Sequence, residues 1–148
     1  MMRMSKLADY STVVMTHMGR DGGGLHSAHE VAEAVGLSLP TVSKIFKILA
    51  RGGLVVSTRG VKGGYLLARP PEKISIAEII DAVDGRISLT ECSHHAGLCV
   101  QESHCSVRGN WQRINAAVRR ALEGVSLADM ARPTMSKVDV MGLKRVAA

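Results

Sequence analysis

Apolar and polar positions follow a helical period in the first third of this chain, give way to a short strand-like stretch, and return to helical spacing near the end. From Met4 to Met18, Leu7, Val13, Val14 and Met18 are spaced to make one side of a helix apolar, and Gly19 ends it. Gly22, Gly23 and Gly24 form a flexible break. Ser27 reads as an N-cap, with Glu30 closing a capping box, for a short helix through Ala34. Gly36 turns the chain. Ser38 is the next N-cap, and Pro40 stands near the first helical position, where a missing N–H costs nothing. In the helix from Pro40 to Ala50, Val42, Ile45, Phe46 and Leu49 share one side, leaving Thr41, Ser43, Lys44 and Lys47 outward. Two helices joined by a glycine turn, the second with a polar outer face, make a helix-turn-helix. The second helix is the one that would enter a major groove.

Leu54–Ser57 and Gly64–Leu67 then read as strands, joined by the Gly-rich tip Thr58-Arg59-Gly60-Val61-Lys62-Gly63. This is a wing. Arg59 at its base has the type and place to enter a minor groove, and Lys62 to meet a phosphate. Pro70 and Pro71 end the hairpin, since neither can continue a ladder. Ser75 caps a further helix with Glu78 as its box partner, through Val83, with Ile79, Ile80 and Val83 for packing. A longer helix is expected from Val107 to Leu122, where Trp111, Ile114, Val118, Ala121 and Leu122 recur at helical spacing. So small a domain has no room to bury that stripe alone, and pairing with the same helix of a second subunit, a homodimer, is the simple solution.

The expected class is therefore mainly α with a small β-wing: a winged helix-turn-helix domain plus a long dimerisation helix. The divisions fall at 1–70 for the DNA-binding region, 71–90 for the packing helix, 91–106 for a cysteine loop, 107–132 for the dimerisation helix, with one short turn at Ser126–Met130, and 133–148 for a flexible tail.

Charge sharpens this picture. Residues 1–73 carry ten Lys or Arg against five acids, residues 74–110 two against five, and residues 111–148 seven against three. The first part has the positive balance of a phosphate-binding surface, and the middle is an acidic island. Tyr10, Phe46, Tyr65 and Trp111 are the whole aromatic set, too few for stacking platforms that bind RNA or single strands. Double-stranded DNA is the expected partner. There is no run of eighteen apolar residues and no apolar secretory segment in Met1–Lys6, so the expectation is a cytoplasmic protein without a membrane partner. Neither a nucleotide-binding Gly-rich loop nor a pair of catalytic residues is present, which argues against an enzyme.

The candidate chemistry lies between Cys92 and Cys105, which holds all three cysteines, Cys92, Cys99 and Cys105, and three of the six histidines. Three thiols separated by six and then five residues can converge from a loop as soft ligands for an iron–sulfur cluster or for zinc. Three cysteines cannot all pair within one chain, and their His, Glu, Ser and Gly neighbours lack a core pattern. Zinc stays open, since Cys3His is an ordinary structural set, although no closely spaced cysteine pair is present. One bridge with a free thiol, as in a thiol switch, also stays open.

These residues together resemble the IscR/NsrR group of bacterial winged-helix regulators, the Rrf-two superfamily. The resemblance spans about Met2 to Met130. It rests on Asp9-Tyr10, on Leu37-Ser38-Leu39-Pro40, on Gly53-Leu54-Val55, on the wing from Arg59 to Ala68, and on the three-cysteine loop. It implies a homodimeric transcription regulator, with Cys92, Cys99 and Cys105 holding a 2Fe-2S or 4Fe-4S cluster whose state sets DNA affinity. Within the group the chain is most similar to repressors of SUF-type iron–sulfur assembly genes. Regulators that sense nitric oxide or oxidants are the alternative. By the same resemblance Arg59 matches the minor-groove arginine of the wing, while Ser38, Pro40, Thr41, Ser43, Lys44, Lys47 and Lys62 stand where DNA contacts fall. Two departures matter. The histidine that serves IscR-like members as fourth ligand is replaced by Arg108, which cannot ligate iron; Asp9 of the partner subunit matches the NsrR-like solution, and His94, His95, His104 and Glu102 are local candidates. Ser43 and Lys44 stand where IscR has Glu and Gln, so the operator sequence does not transfer.

Overall fold

The computed structural model describes residues 3–132. In chain order it has α1 (Lys6–Arg20), α2 (Ala28–Val35), α3 (Leu39–Arg51), β1 (Val55–Thr58), β2 (Gly64–Leu67), a single 3-10 turn (Pro71–Lys73), α4 (Ile76–Asp84), α5 (Glu91–His94), α6 (Arg108–Glu123) and α7 (Leu127–Ala131). The tail expected at 133–148 lies outside the described residues.

The start of α1 is set by the Ser5 side chain, which accepts the Ala8 N–H. Val14, Met15 and Met18 are fully buried, but Val13 is 41% exposed and does not belong to the apolar side. A period of 3.6 residues centres the buried face between Val14 and Met15 and puts Val13 on the opposite side of the helix. In α2 Ser27 caps the Glu30 N–H as expected. The reciprocal bond from Glu30 is not among the described contacts, and its exposed carboxylate stays in water. Gly36 ends α2 in the left-handed conformation at φ 70°, a setting that favours glycine, and this sends the chain directly into α3. Ser38 accepts the Thr41 N–H to begin α3, and Val42, Ile45, Phe46 and Leu49 are all fully buried. Each such side chain contributes roughly 1.5–3 kcal/mol of hydrophobic stabilisation.

β1 and β2 pair antiparallel, from Val55 opposite Leu67 to Thr58 opposite Gly64. His26, from the segment before α2, widens the sheet at the end of the ladder nearest the tip. Its N–H donates to the Tyr65 carbonyl at 3.0 Å, and its own carbonyl accepts from the Tyr65 N–H at 2.7 Å. A Cβ at Gly64 would lie 2.5 Å from that His26 carbonyl, so only glycine allows the seam to close.

The full capping box expected at Ser75 and Glu78 is present in α4. Arg69 reaches the same Glu78 carboxylate at 2.7 Å and so pins the end of the wing to α4. The span 107–132 is not one helix. α6 stops before Gly124; Ile76 N–H donates to the Val125 carbonyl and Leu127 N–H to the Ile74 carbonyl, turning the chain back. α7 then packs on α1 with Leu127 fully buried beside Gly19.

Candidate DNA-facing surface and cysteine loop

The outward side of α3 and the wing tip lie on adjoining elements. Ser38, Pro40, Lys44 and Lys47 are exposed, as are Arg59 and Lys62 on the wing, whereas Thr41 and Ser43 are half-buried. The hydroxyls of Ser38 and Thr41 are 2.7 Å apart, so each is partly engaged in holding the start of α3. What fixes the wing relative to α3 is an aromatic stack that no local pattern announced. The Phe46 ring lies on Tyr65 with centroids 4.1 Å apart and planes 4° from parallel. His26, 1% exposed, fastens the other edge of β2; its Nε2 lies 3.4 Å from an Asp21 oxygen without making a hydrogen bond.

The cysteine loop begins with α5, one helical turn absent from the expected layout. Cys92 lies in it, with its sulfur 3.3 Å from the Thr90 hydroxyl. Cys92, Cys99 and Cys105 are all free thiols and all half-buried. Among the described residues no three His, Cys, Asp or Glu side chains are gathered into a group that would hold a metal. The donor set is chemically right for a soft-metal centre, with three unpaired thiols on one short loop, but it is not drawn together. His104 and His95 are exposed; His94 lies 3.3 Å from the Ser88 hydroxyl through Nδ1. Asp9 is exposed on α1. Arg108 opens α6 and pairs with Glu102.

A polar seam joins this loop to the rest of the chain. Buried Asn115 of α6 accepts the Leu89 N–H at 3.0 Å and donates to the Ile87 carbonyl at 3.4 Å. Asp81 of α4 accepts the Ile87 N–H and two bonds from Arg119 of α6. The strand of chain entering the loop is thus tied to α4 and α6 together. α4 in turn abuts the end of α3, since a Cβ at Gly52 would come 2.9 Å from the Ala82 Cβ. Asp81, Asn115 and Arg119 were missed by sequence reasoning. They meet only through the tertiary fold, and an acid and an arginine 38 residues apart leave no local signature.

Asn115 is the only buried position of α6; half-buried Leu122 of the expected stripe packs against the core of its own domain, while Trp111, 40% exposed, and Ile114, 45% exposed, show solvent an apolar face. No helix among the described residues is long and apolar enough to cross a membrane.

A helix-turn-helix with a wing stacked against its second helix, and cations along both, defines a winged-helix DNA-binding transcription regulator. The chain belongs to the Rrf2 family of iron-dependent transcriptional regulators, whose model matches residues 4–133. It is 30% identical to the HTH-type transcriptional regulator IscR of Xenorhabdus nematophila over 88% of this chain and 80% of that one. Its fold superposes on CymR, the global cysteine regulator of B. subtilis, with a TM-score of 0.73, 30% identity and coverage of 88% and 97%. For the IscR of T. potens the values are 0.67, 25%, 95% and 96%. These are regulators, and this chain is a regulator rather than an enzyme.

Proposed function

We propose that this chain is a homodimeric cytoplasmic repressor of iron–sulfur assembly genes that reads cluster status through Cys92, Cys99 and Cys105. The observation that carries the reading is the loop itself: three free, half-buried thiols between α4 and α6, on a chain similar to IscR proteins. A bound cluster supplies a redox-labile tie among the three thiolates. Cys92 would be offered from α5, steadied by Thr90, and Cys99 and Cys105 from the turns beyond it. Asp9 of the partner subunit, or His104 locally, is the candidate fourth ligand, because Arg108 is unsuited. Any rearrangement that gathers the thiols would pull on residues 87–89, which Asn115 and Asp81 hold against α6 and α4. Exposed Trp111 and Ile114 form the face that a second copy of α6 would cover. On DNA, α3 would present Ser43, Lys44 and Lys47 to the major groove, Ser38, Pro40 and Thr41 would set its entry, and Arg59 and Lys62 of the wing would meet the minor groove and a phosphate.

The fold similarity to a global cysteine regulator favours a second reading, in which the thiols themselves, or a structural zinc, are the sensor. The test is anaerobic purification followed by absorption spectroscopy and analysis for iron, sulfide and zinc. Iron with matching sulfide, lost in a Cys99→Ala variant that still folds, is the expected result. Zinc alone, or no metal in protein kept from oxygen, would overturn the cluster reading and leave the second one.

A further inference from the structure

The cysteine loop has little apolar packing to hold it in shape: Leu98 is 52% exposed and Val100 93%. In its place stands one carboxylate. The Glu102 side chain, 13% exposed, accepts the Gly97 N–H through one oxygen and meets the Arg108 guanidinium through the other. Gly97 precedes Cys99 and Arg108 follows Cys105, so Glu102 fastens the chain on both sides of these two thiols. Arg108 Nε is buried with no acceptor, while the rest of the guanidinium reaches water and meets Glu102.

We infer that Glu102 is a latch that keeps the metal-free loop folded around Cys99 and Cys105, with Arg108 as its catch. The inference rests on the cluster reading for its purpose, and on the loop geometry alone for its existence. Both oxygens of Glu102 are already committed, so Glu102 is a positioning residue and not a fourth ligand. A latched loop has already met part of the ordering cost that three thiols on a free chain would meet on binding metal. The replacement of a would-be histidine by Arg108 is then a change of role from ligand to fastener.

The experiment uses the full-length, metal-free chain, chelator-treated without oxygen, in a Cys92→Ala background so that only Cys99 and Cys105 report. Their reaction with a chromogenic aromatic disulfide is followed across pH, and plateau rates are compared, so that a change in thiol ionisation is not counted as opening. Glu102→Gln should raise the plateau rate about tenfold, the scale on which a tenfold change equals 1.4 kcal/mol. Arg108→Gln, which removes the catch but leaves the Gly97 bond to Glu102, should raise it too, by less than Glu102→Gln, which weakens both contacts. Equal rates for the parent and Glu102→Gln, with far-ultraviolet dichroism showing both folded, would overturn the latch; so would an Arg108→Gln variant that reacts at the parent's rate. Iron and sulfide uptake by the unaltered protein is measured in parallel. Faster thiols in Glu102→Gln beside a parent that takes up no iron would support the latch while removing the cluster reading. Iron uptake with unchanged thiol rates would remove the latch alone.

Discussion

Arg119 of α6 donates to both carboxylate oxygens of Asp81 on α4, at 3.3 and 2.8 Å, while Asp81 also accepts the Ile87 N–H at 3.2 Å. The paired hydrogen bond to Asp81 holds the guanidinium above its ordinary pKa and fully charged. One carboxylate therefore joins three parts of the chain: the packing helix, the loop entrance and the long exposed helix.

Asp81→Ala is expected to cost about 1–3 kcal/mol, because it removes charge-assisted bonds, leaves the Ile87 N–H without its acceptor and leaves Arg119 only its pairing with Glu123 within α6. Urea denaturation measures this through a lower midpoint at unchanged slope. The same variant should bind operator DNA with less difference between metal-loaded and metal-free forms, since the seam between loop and α4 is cut. A full difference in affinity between the two forms would place the coupling elsewhere.

Tyr65→Ala removes the ring that lies on Phe46 and should cost roughly 0.5–1.5 kcal/mol beyond the lost burial. The effect on DNA should exceed the effect on folding, because the wing loses its fixed angle to α3. Titration of an operator fragment by the variant, compared with its thermal melt, tests this. Equal operator affinity in a less stable protein would show that the β1–β2 ladder and the His26 seam suffice to aim the wing.

The two wing cations should behave differently. Lys62→Ala is expected to weaken binding to all duplexes alike and to reduce the slope of log affinity against log salt by about 0.9, the signature of one lost phosphate contact. Arg59→Ala should weaken specific binding more than non-specific binding and leave the oligomeric state unchanged. Unchanged operator affinity would remove Arg59 from the interface.

Acid stability should depend in part on Glu78. Burial pushes its pKa up, but the Ser75 N–H and the adjacent Arg69 outweigh this and hold it below the ordinary value. A carboxyl lowered in the folded state contributes stability that is complete above its unfolded pKa and is lost as pH falls through its folded pKa. Glu78→Gln should therefore be less stable than the parent at neutral pH, and the gap should close as the pH is brought below the usual carboxylate range. Thermal melts of both proteins over an acid series would show it. A gap constant with pH would mean that the Gln side chain disturbs the cap sterically.

The helix-turn-helix and wing were legible because their signals are local. The caps at Ser27, Ser38 and Ser75, the turn at Gly36 and the apolar side of α3 are each decided within a few residues. Val13 was misplaced because an apolar residue next in sequence to a buried one was counted with it, although one step along a helix turns the side chain about 100° away. Near the end of the described residues the long helix and the short turn at Ser126–Met130 are both present, as α6 and α7. What the local pattern did not show is where α7 packs, which is set by the bonds of Val125 and Leu127 to Ile76 and Ile74 and by its contact with α1. In the loop, the thiols were evident from composition, whereas the Glu102 bracing and the Asn115 and Asp81 ties depend on groups brought together from a distance.

The closed seam at Gly64 has a consequence for how such a regulator can change its targets. With His26 and Tyr65 bonded through both backbones and Phe46 stacked on Tyr65, the ladder just below the tip admits few replacements. The tip is under no such restraint: Val61 projects wholly into solvent and Lys62 is exposed. Inheritance can thus rewrite the tip together with the outward side of α3 while leaving the frame alone, so that copies of one gene could drift to new operators without first becoming unstable.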